Sequence, residues 1–416
     1  MLICAAAAPL SSARGEMLLY DKDGWTLKTD GLAQGFYMLS FGDVAPAGPN
    51  IVNFDFLGTG PAGSGNTFLQ SRFRSGWTGG RFNWRATKQM SENVKASAYL
   101  GVAYSISTED APAATNNAWD IRNGYLELEG PFGDIVIGRS VGLYTLGGII
   151  STINITSAAM GLGNTCGVGG NNLSCYTSGY GVKFPGFWAG FYYTTPSLGG
   201  LKIKVAALDP VTVGANSTIT PDPMMPMMTT ATSQLWSRKP LPHFQTLITY
   251  SKTVGSVTIN PFFNGFWQQI GKAGSGDTLN PYGAGAGIDL FVGAFKVGVG
   301  GSYEKGTTLY VPLSGGEAID GAGQLRDGAG FYAQARYTIG QLDVMAGYGQ
   351  SGLNRSAFDI TNNLDINKVQ RNIWGAVQYH TDPITWVAEL NSLHHEWYGG
   401  EKQAVEVISL GASFAY

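Results

Sequence analysis

The feature that most restricts the folds open to this chain is an alternation of period two, repeated over segments of about ten residues along most of its length. In 94–106, Val94, Ala96, Ala98, Leu100, Val102, Tyr104 and Ile106 fall on one face. In 201–205, Leu201, Ile203 and Val205 oppose Lys202 and Lys204. Phe331, Ala333, Ala335 and Tyr337 oppose Tyr332, Gln334, Arg336 and Thr338, and Ile384, Trp386, Ala388 and Leu390 oppose Thr385, Val387, Glu389 and Asn391. Successive side chains of a strand point to opposite faces, so such segments build a sheet with two unlike sides. A soluble sandwich also alternates, but its outward positions carry more charge. Here charged residues are 13% of the 416, about half the usual share, beside 60 glycines and 12% aromatics. That combination suits a barrel with lipid on one side and water on the other.

A mean hydropathy of −0.01 argues against both a helical membrane protein and a disordered chain. A net charge of −3 without a dense Lys/Arg run points away from a nucleic-acid partner. Short joins (91–93, 131–134, 197–200, 254–256, 339–341, 381–383) alternate with long ones rich in Gly, Pro, Asn and Thr (43–65, 142–179, 209–241, 307–326, 353–367). Between them fall sixteen expected strands, from 25–41 and 66–88 through 180–195 to 384–398 and 404–416, with both ends on the short-turn side. The expectation is an all-β transmembrane antiparallel barrel with short periplasmic turns and long extracellular loops.

The segment 141–162 carries no charge and is long enough to cross a bilayer as a helix. A spanning helix there would break closure and leave an open sheet edge in lipid, so a long loop inside the barrel is the preferred reading. Cys166 and Cys175 lie in a Gly/Asn-rich stretch of that loop, where they can close a disulfide in an oxidising compartment or remain two thiols. Residues 1–15 read as the remnant of a secretory signal peptide, with a small-x-small site at Ser11-Ser12-Ala13, leaving 16–416 as one barrel domain.

Several stretches, taken in order, resemble the general diffusion porins of Gram-negative outer membranes. "LLYDKDGWTLKTDGLAQGFY" (18–37) is similar to the family's mature N-terminus and first strand. "IRNGYLELEGPFGDIVIGRS" (121–140) resembles its fourth and fifth strands with the Gly-Arg that opens the third loop, and "GVKFPGFWAGFYYTTPSLGGLKIKVAALDP" (181–210) its sixth and seventh. The closing "ISLGASFAY" resembles the C-terminal signal read by the outer-membrane barrel assembly machinery, which here would use Ile408, Leu410, Phe414 and Tyr416. The resemblance implies a homotrimer of sixteen-stranded barrels in the outer membrane, in contact with lipid and lipopolysaccharide. Each would be narrowed by the third loop (about 142–179) and would pass small hydrophilic solutes. The family's acidic third loop is not matched, because 140–182 holds no Asp, Glu, Lys or Arg.

Arginines supply the candidate pore lining. Arg72 and Arg74 share a face away from Phe73, and Arg81 and Arg85 one away from Phe82 and Trp84. A guanidinium facing mid-bilayer costs about 2–4 kcal/mol, so these belong in the lumen or, alternatively, at the rims. Opposite a neutral loop they predict a mild anion preference. Lys28 is a further candidate, with Lys202 and Lys204 behind it. Arg122 matches a family wall arginine by position but alternates in phase with Leu126 and Leu128, so either a bulge shifts it or it leaves the wetted face; Arg139 has the same difficulty with Ile135 and Ile137.

Other signals are discounted. The methionines of 221–228 read as a Pro-broken surface loop rather than a copper site. His394 and His395 point to opposite faces of one strand and cannot chelate as a pair, so no metal and no cofactor are expected. Ser392 and His394 share a face, as any i, i+2 pair does, and no catalytic residues are assigned. The expectation is a passive channel rather than an enzyme; a substrate-specific porin is the alternative, and a barrel enzyme or surface-binding protein a more distant one.

Overall fold

The computed structural model describes residues 16–44, 46, 48, 50–52, 67–74, 80–104, 120–151, 180–183, 185–210, 213–215, 234–307 and 318–416. The side chains of some strand residues, Arg72 and Arg74 among them, lie outside this description, as do Cys166, Cys175 and the expected signal remnant 1–15.

Sixteen strands form one closed antiparallel barrel. They are β1 (Trp25–Asp43), β2 (Thr67–Arg74 with Gly80–Ser91), β3 (Val94–Tyr104), β4 (Asp120–Gly130), β5 (Gly133–Val141), β6 (Phe187–Thr194), β7 (Leu201–Leu208) and β8 (His243–Tyr250 with Lys252–Val254). The second half comprises β9 (Val257–Trp267), β10 (Tyr282–Val292), β11 (Phe295–Lys305), β12 (Asp327–Ile339), β13 (Leu342–Leu353), β14 (Asp365–Thr381), β15 (Ile384–Trp397) and β16 (Lys402–Ala415). Each pairs with the next, and β16 closes on β1 from Leu32↔Ala415 to Gly42↔Val405. Short turns such as 92–93, 131–132, 340–341 and 382–383 make one rim, and the long loops make the other.

The terminus seals the short-turn rim. The Gly31 N–H donates to the Tyr416 carbonyl (3.0 Å) and the Tyr416 N–H to that of Gly31 (3.2 Å). Just beyond, a ribbon strand Met17–Lys22 folds back on β1. Asp23 and Gly24, both at positive φ (54° and 73°), make the turn, as a two-residue hairpin requires. Ile408, Leu410 and Phe414 face outward and are exposed, while Tyr416 packs beside Phe82 and Phe414 (ring centroids 6.5 and 6.3 Å apart).

The alternation has its expected consequence. Leu69, Phe73, Leu126, Ile137, Trp386 and Leu410 are exposed on the outer wall, while Gln334, Gln378, Glu389, Asn391 and Ser409 are buried on the inner. Both pieces of β2 pair with β1, but the register slips between Phe36↔Arg74 and Leu32↔Arg81. The slip changes the parity of the two faces of β2, and from Arg81 onward the inward row is odd-numbered, because a strand's side-chain period is two.

Two expectations are corrected. The sixth strand is Phe187–Thr194, not 180–195: Tyr180 to Lys183 belong to the third loop, which extends to 186. Gly181 and Gly186 adopt φ of 83° and 71°, conformations no strand residue takes, and a side chain at Gly181 would strike the Phe331 carbonyl. Arg139 is exposed and pairs with Ala189 and Gly124, on the outer face with Ile135 and Ile137. No bulge intervenes at this point in either ladder, so strict alternation keeps Arg139 out of the lumen.

On the long-loop rim a short helix, α2 (Ala357–Thr361), follows β13 with a capping box between Ser356 and Asp359. Arg326 grips Asp359 with Nε and Nη2, both at 2.7 Å, and both side chains are buried. Burial would raise the Asp359 carboxyl, but the bonds from Arg326 and Ser356 hold it below the ordinary 3.8.

Two outcomes follow from this architecture. Leu390→Arg, on the outer wall, should lower the unfolding free energy in lipid vesicles by about 2–4 kcal/mol, while Asn93→Arg in an exposed turn should not. The depressed Asp359 carboxyl means its stabilisation is complete above about pH 4 and is lost as pH falls through the lower folded value. Protease sensitivity of 318–326 and 354–364 should therefore rise in strong acid with the barrel intact, and in Asp359→Asn at every pH.

Candidate functional site

A closed sheet of this strand number leaves a lumen its own side chains do not fill. The described part of the third loop occupies that space. After β5 the chain turns inward into α1 (Leu146–Ser151), one short helix with no charged residue. Among the described residues no helix is long and apolar enough to cross a membrane. Leu143, Leu146 and Ile149 recur every three residues and pack on Trp188, Tyr192, Leu208 and Leu247 of the inner wall. These wall residues are apolar where water would otherwise lie, because the loop covers them.

Polar groups then fasten the loop across the barrel. Gln245 Oε1 on β8 accepts the backbone N–H groups of Leu143 and Tyr144 (2.5 and 3.0 Å). The Ser151 hydroxyl donates to Asp289 on β10, and its carbonyl accepts from Lys296 Nζ (3.0 Å) and Gln334 Nε2 (2.6 Å) on β11 and β12. On the return leg, Tyr180 meets His395 Nε2 on β15 (2.8 Å) and the Gly181 N–H donates to Ser351 on β13 (2.9 Å). Glu304 on β11 holds both legs: it accepts from the Tyr144 hydroxyl and from Lys183 Nζ, each at 2.7 Å, and is fully buried. Burial, and then the Glu304 carboxylate, push the Tyr144 hydroxyl well above its ordinary value, so it remains a donor.

The open inner wall lies on β1 to β5 and β7. Arg81 and Arg85 stand on the inward row of β2 opposite Leu32 and Lys28, as the alternation predicts. Arg85 is bound to Glu127 of β4 (2.7 Å) and lies over the Tyr99 ring (5.1 Å). Lys28 pairs with Glu16 (2.9 Å), Lys95 with Glu129 (3.8 Å), and Asn83 donates to Asp30 (2.6 Å). The β1 register sets Arg72 and Arg74 opposite the inward Met38 and Phe36. Lys204 stands beside Thr194, on the same inward row as Asp134.

Arg122 resolves differently from Arg139. Asn123 lies opposite Gly101 and Ile121 opposite Val102, so a bulge inserts Arg122 as an extra residue and frees it from the phase of Leu126 and Leu128. Its guanidinium sits 5.6 Å from the centre of the Phe187 ring. Sequence reasoning missed the acidic partners Asp30 and Asp134 and the loop anchors Asp289, Lys296 and Glu304, although alternation alone sets each on an inward face. His394 lies outside beside Ser392 (3.0 Å), whose hydroxyl donates to Glu406 (2.6 Å). The acid bonds the serine rather than the imidazole, which is not the order of a nucleophile–base–acid relay.

Compared with family models, residues 51–415 match the Gram-negative porins. The chain belongs to this family. Compared with curated proteins, it matches none. Among solved structures it is similar to the outer membrane channel DcaP of Acinetobacter baumannii, at 15% identity over 96% of this chain and 100% of that one, with a TM-score of 0.65. It is also similar to an anion-selective porin from Comamonas acidovorans (13%, 94% and 100%, 0.58) and to OmpF of Salmonella typhi (10%, 96% and 100%, 0.54). These likenesses are of fold. As a porin of the outer membrane, the protein is a water-filled channel for passive diffusion.

The porin's constriction depends on the buried Glu304. Glu304→Gln leaves the Lys183 ammonium uncompensated in a buried site, a loss of about 3–5 kcal/mol. Single channels of this variant should show more frequent closures and a less uniform conductance; unchanged traces would mean the loop is held elsewhere.

Proposed function

We propose that the porin favours small anions mildly over cations and that β2 sets the preference. The observation that carries this reading is the inward register of Arg81 and Arg85 in a chain with no charge between 140 and 182; Arg72 and Arg74, which pair in register with the inward Met38 and Phe36, are added to them. Glu127 pairs with Arg85 and the Asp30 carboxylate acts on Arg81, so the effect is mild. Arg122 and Lys28 contribute less, the first beside Phe187 and the second paired with Glu16.

The porin works as a homotrimer, with its apolar outer wall against neighbouring copies, lipid and lipopolysaccharide. Its substrates are small hydrophilic solutes that pass without chemistry or cofactor. The outward row Ile408, Leu410 and Phe414, ending at Tyr416, is offered to the barrel assembly machinery. A Cys166–Cys175 disulfide stiffens the loop.

Reversal potential in a salt gradient across planar bilayers tests the main proposal. The unmodified porin should be mildly anion-selective. Replacing Arg72, Arg74 and Arg81 by Gln should abolish that preference, and Glu127→Gln, which frees the Arg85 charge, should strengthen it. Cation selectivity, or no change in either variant, overturns the assignment.

A further inference from the structure

Where the two legs of the third loop pass over β9 to β12 they border a half-open cavity of about 20 Å³. Thr145 and Gly148 of the outbound leg, Gly181 to Lys183 of the return leg, and Asn264, Gly285 and Tyr332 of the wall line it. Two polar atoms of its lining residues, Thr145 Oγ1 and Asn264 Oδ1, are buried with no partner in hydrogen-bonding geometry, and a third, Tyr332 Oη, is drawn toward the Ser151 hydroxyl without meeting that geometry. These residues are 6%, 2% and 6% exposed. Other buried polar atoms of the inner wall also lack a protein partner, but here such atoms from the outbound leg and the wall line one small cavity, which points to a shared ligand. Thr145 adds a second, independent observation. It holds a φ of 66°, a left-handed conformation that strains a β-branched residue and persists only where its surroundings over-determine it.

We propose that one water molecule occupies this cavity and pins both legs of the loop to the barrel wall. It accepts from the Thr145 and Tyr332 hydroxyls and donates to Asn264 Oδ1. A buried water needs about 10–15 Å³ by this measure and two to four polar partners, so the cavity takes one water and not two. An apolar occupant would leave the three atoms without that ligand. A cation is disfavoured by Lys183 of the return leg, whose ammonium is already held by Glu304 (2.7 Å) and Thr307 (2.8 Å).

The experiment has a structural arm and a functional arm, both on the full-length porin. A high-resolution crystal structure should show one ordered water within hydrogen-bonding distance of all three atoms; a dry cavity overturns the proposal. In single-channel recordings, Thr145→Val and Asn264→Leu should each raise the closure frequency about tenfold, the scale of one lost hydrogen bond. The double variant should do no more than the larger single effect, since both remove the same ligand. Gly285→Ala removes none of the three polar groups, but its methyl would crowd Asn264 Oδ1 at 3.0 Å and leave the water no room beside it, so it should reproduce the rise. Additive effects, or a silent Gly285→Ala, overturn the proposal. A protein that does not conduct would sink the channel reading, while the crystallographic arm would still decide the water.

Discussion

Everything in this molecule depends on hydrocarbon offering no hydrogen bonds to a backbone. A strand in lipid must find both neighbours, so a sheet that spans the membrane has to close on itself. The meeting of β16 with β1 is therefore the contact on which the rest stands. It explains why the chain is ordered to its last residue, with Tyr416 and Gly31 exchanging backbone bonds at the rim. It also explains the alternation, because each strand of a closed sheet has one face in lipid and one within.

Closure at this strand number creates a second problem, an interior wider than side chains reach. The third loop answers it, and the inner wall is shaped for the loop. On β6 to β8 the wall is apolar under Leu143, Leu146 and Ile149. On β10 and β11 the inward row contains Gly283, Gly285, Gly287, Gly298 and Gly300, which let α1 lie close to the sheet. Around that floor, Asp289, Lys296 and Glu304 bind the loop rather than face the solute path. A channel that needs no moving part gains from such fastening, since the bore stays constant while solutes diffuse.

Charge on the open wall is mostly balanced. Arg85 with Glu127, Lys28 with Glu16 and Lys95 with Glu129 are cation–anion pairs on the inward face. Paired charges in a wet lumen produce short-range fields, and screening limits their reach to about 10 Å at ordinary salt. Balance of this kind is why the proposed anion preference is small. The same balance keeps a nearly neutral chain from repelling itself around a narrow bore.

Much of this was legible before any coordinates. Period two, low charge and the alternation of short and long joins determined the barrel, its strand number and which face of each strand meets lipid, because those properties follow from local geometry alone. The inward positions of Arg81 and Arg85 were readable for the same reason. "FWAGFYYT", aromatic on both faces, was a local sign that something covers the inner wall there, yet it does not say what. Only the tertiary structure decided that Arg122 escapes its phase through a bulge while Arg139 does not, that 180–183 leave the sixth strand for the far wall, and that Glu304 takes both legs of the loop. These depend on register and on contacts between residues more than a hundred positions apart, and no rule of sequence spacing carries that information.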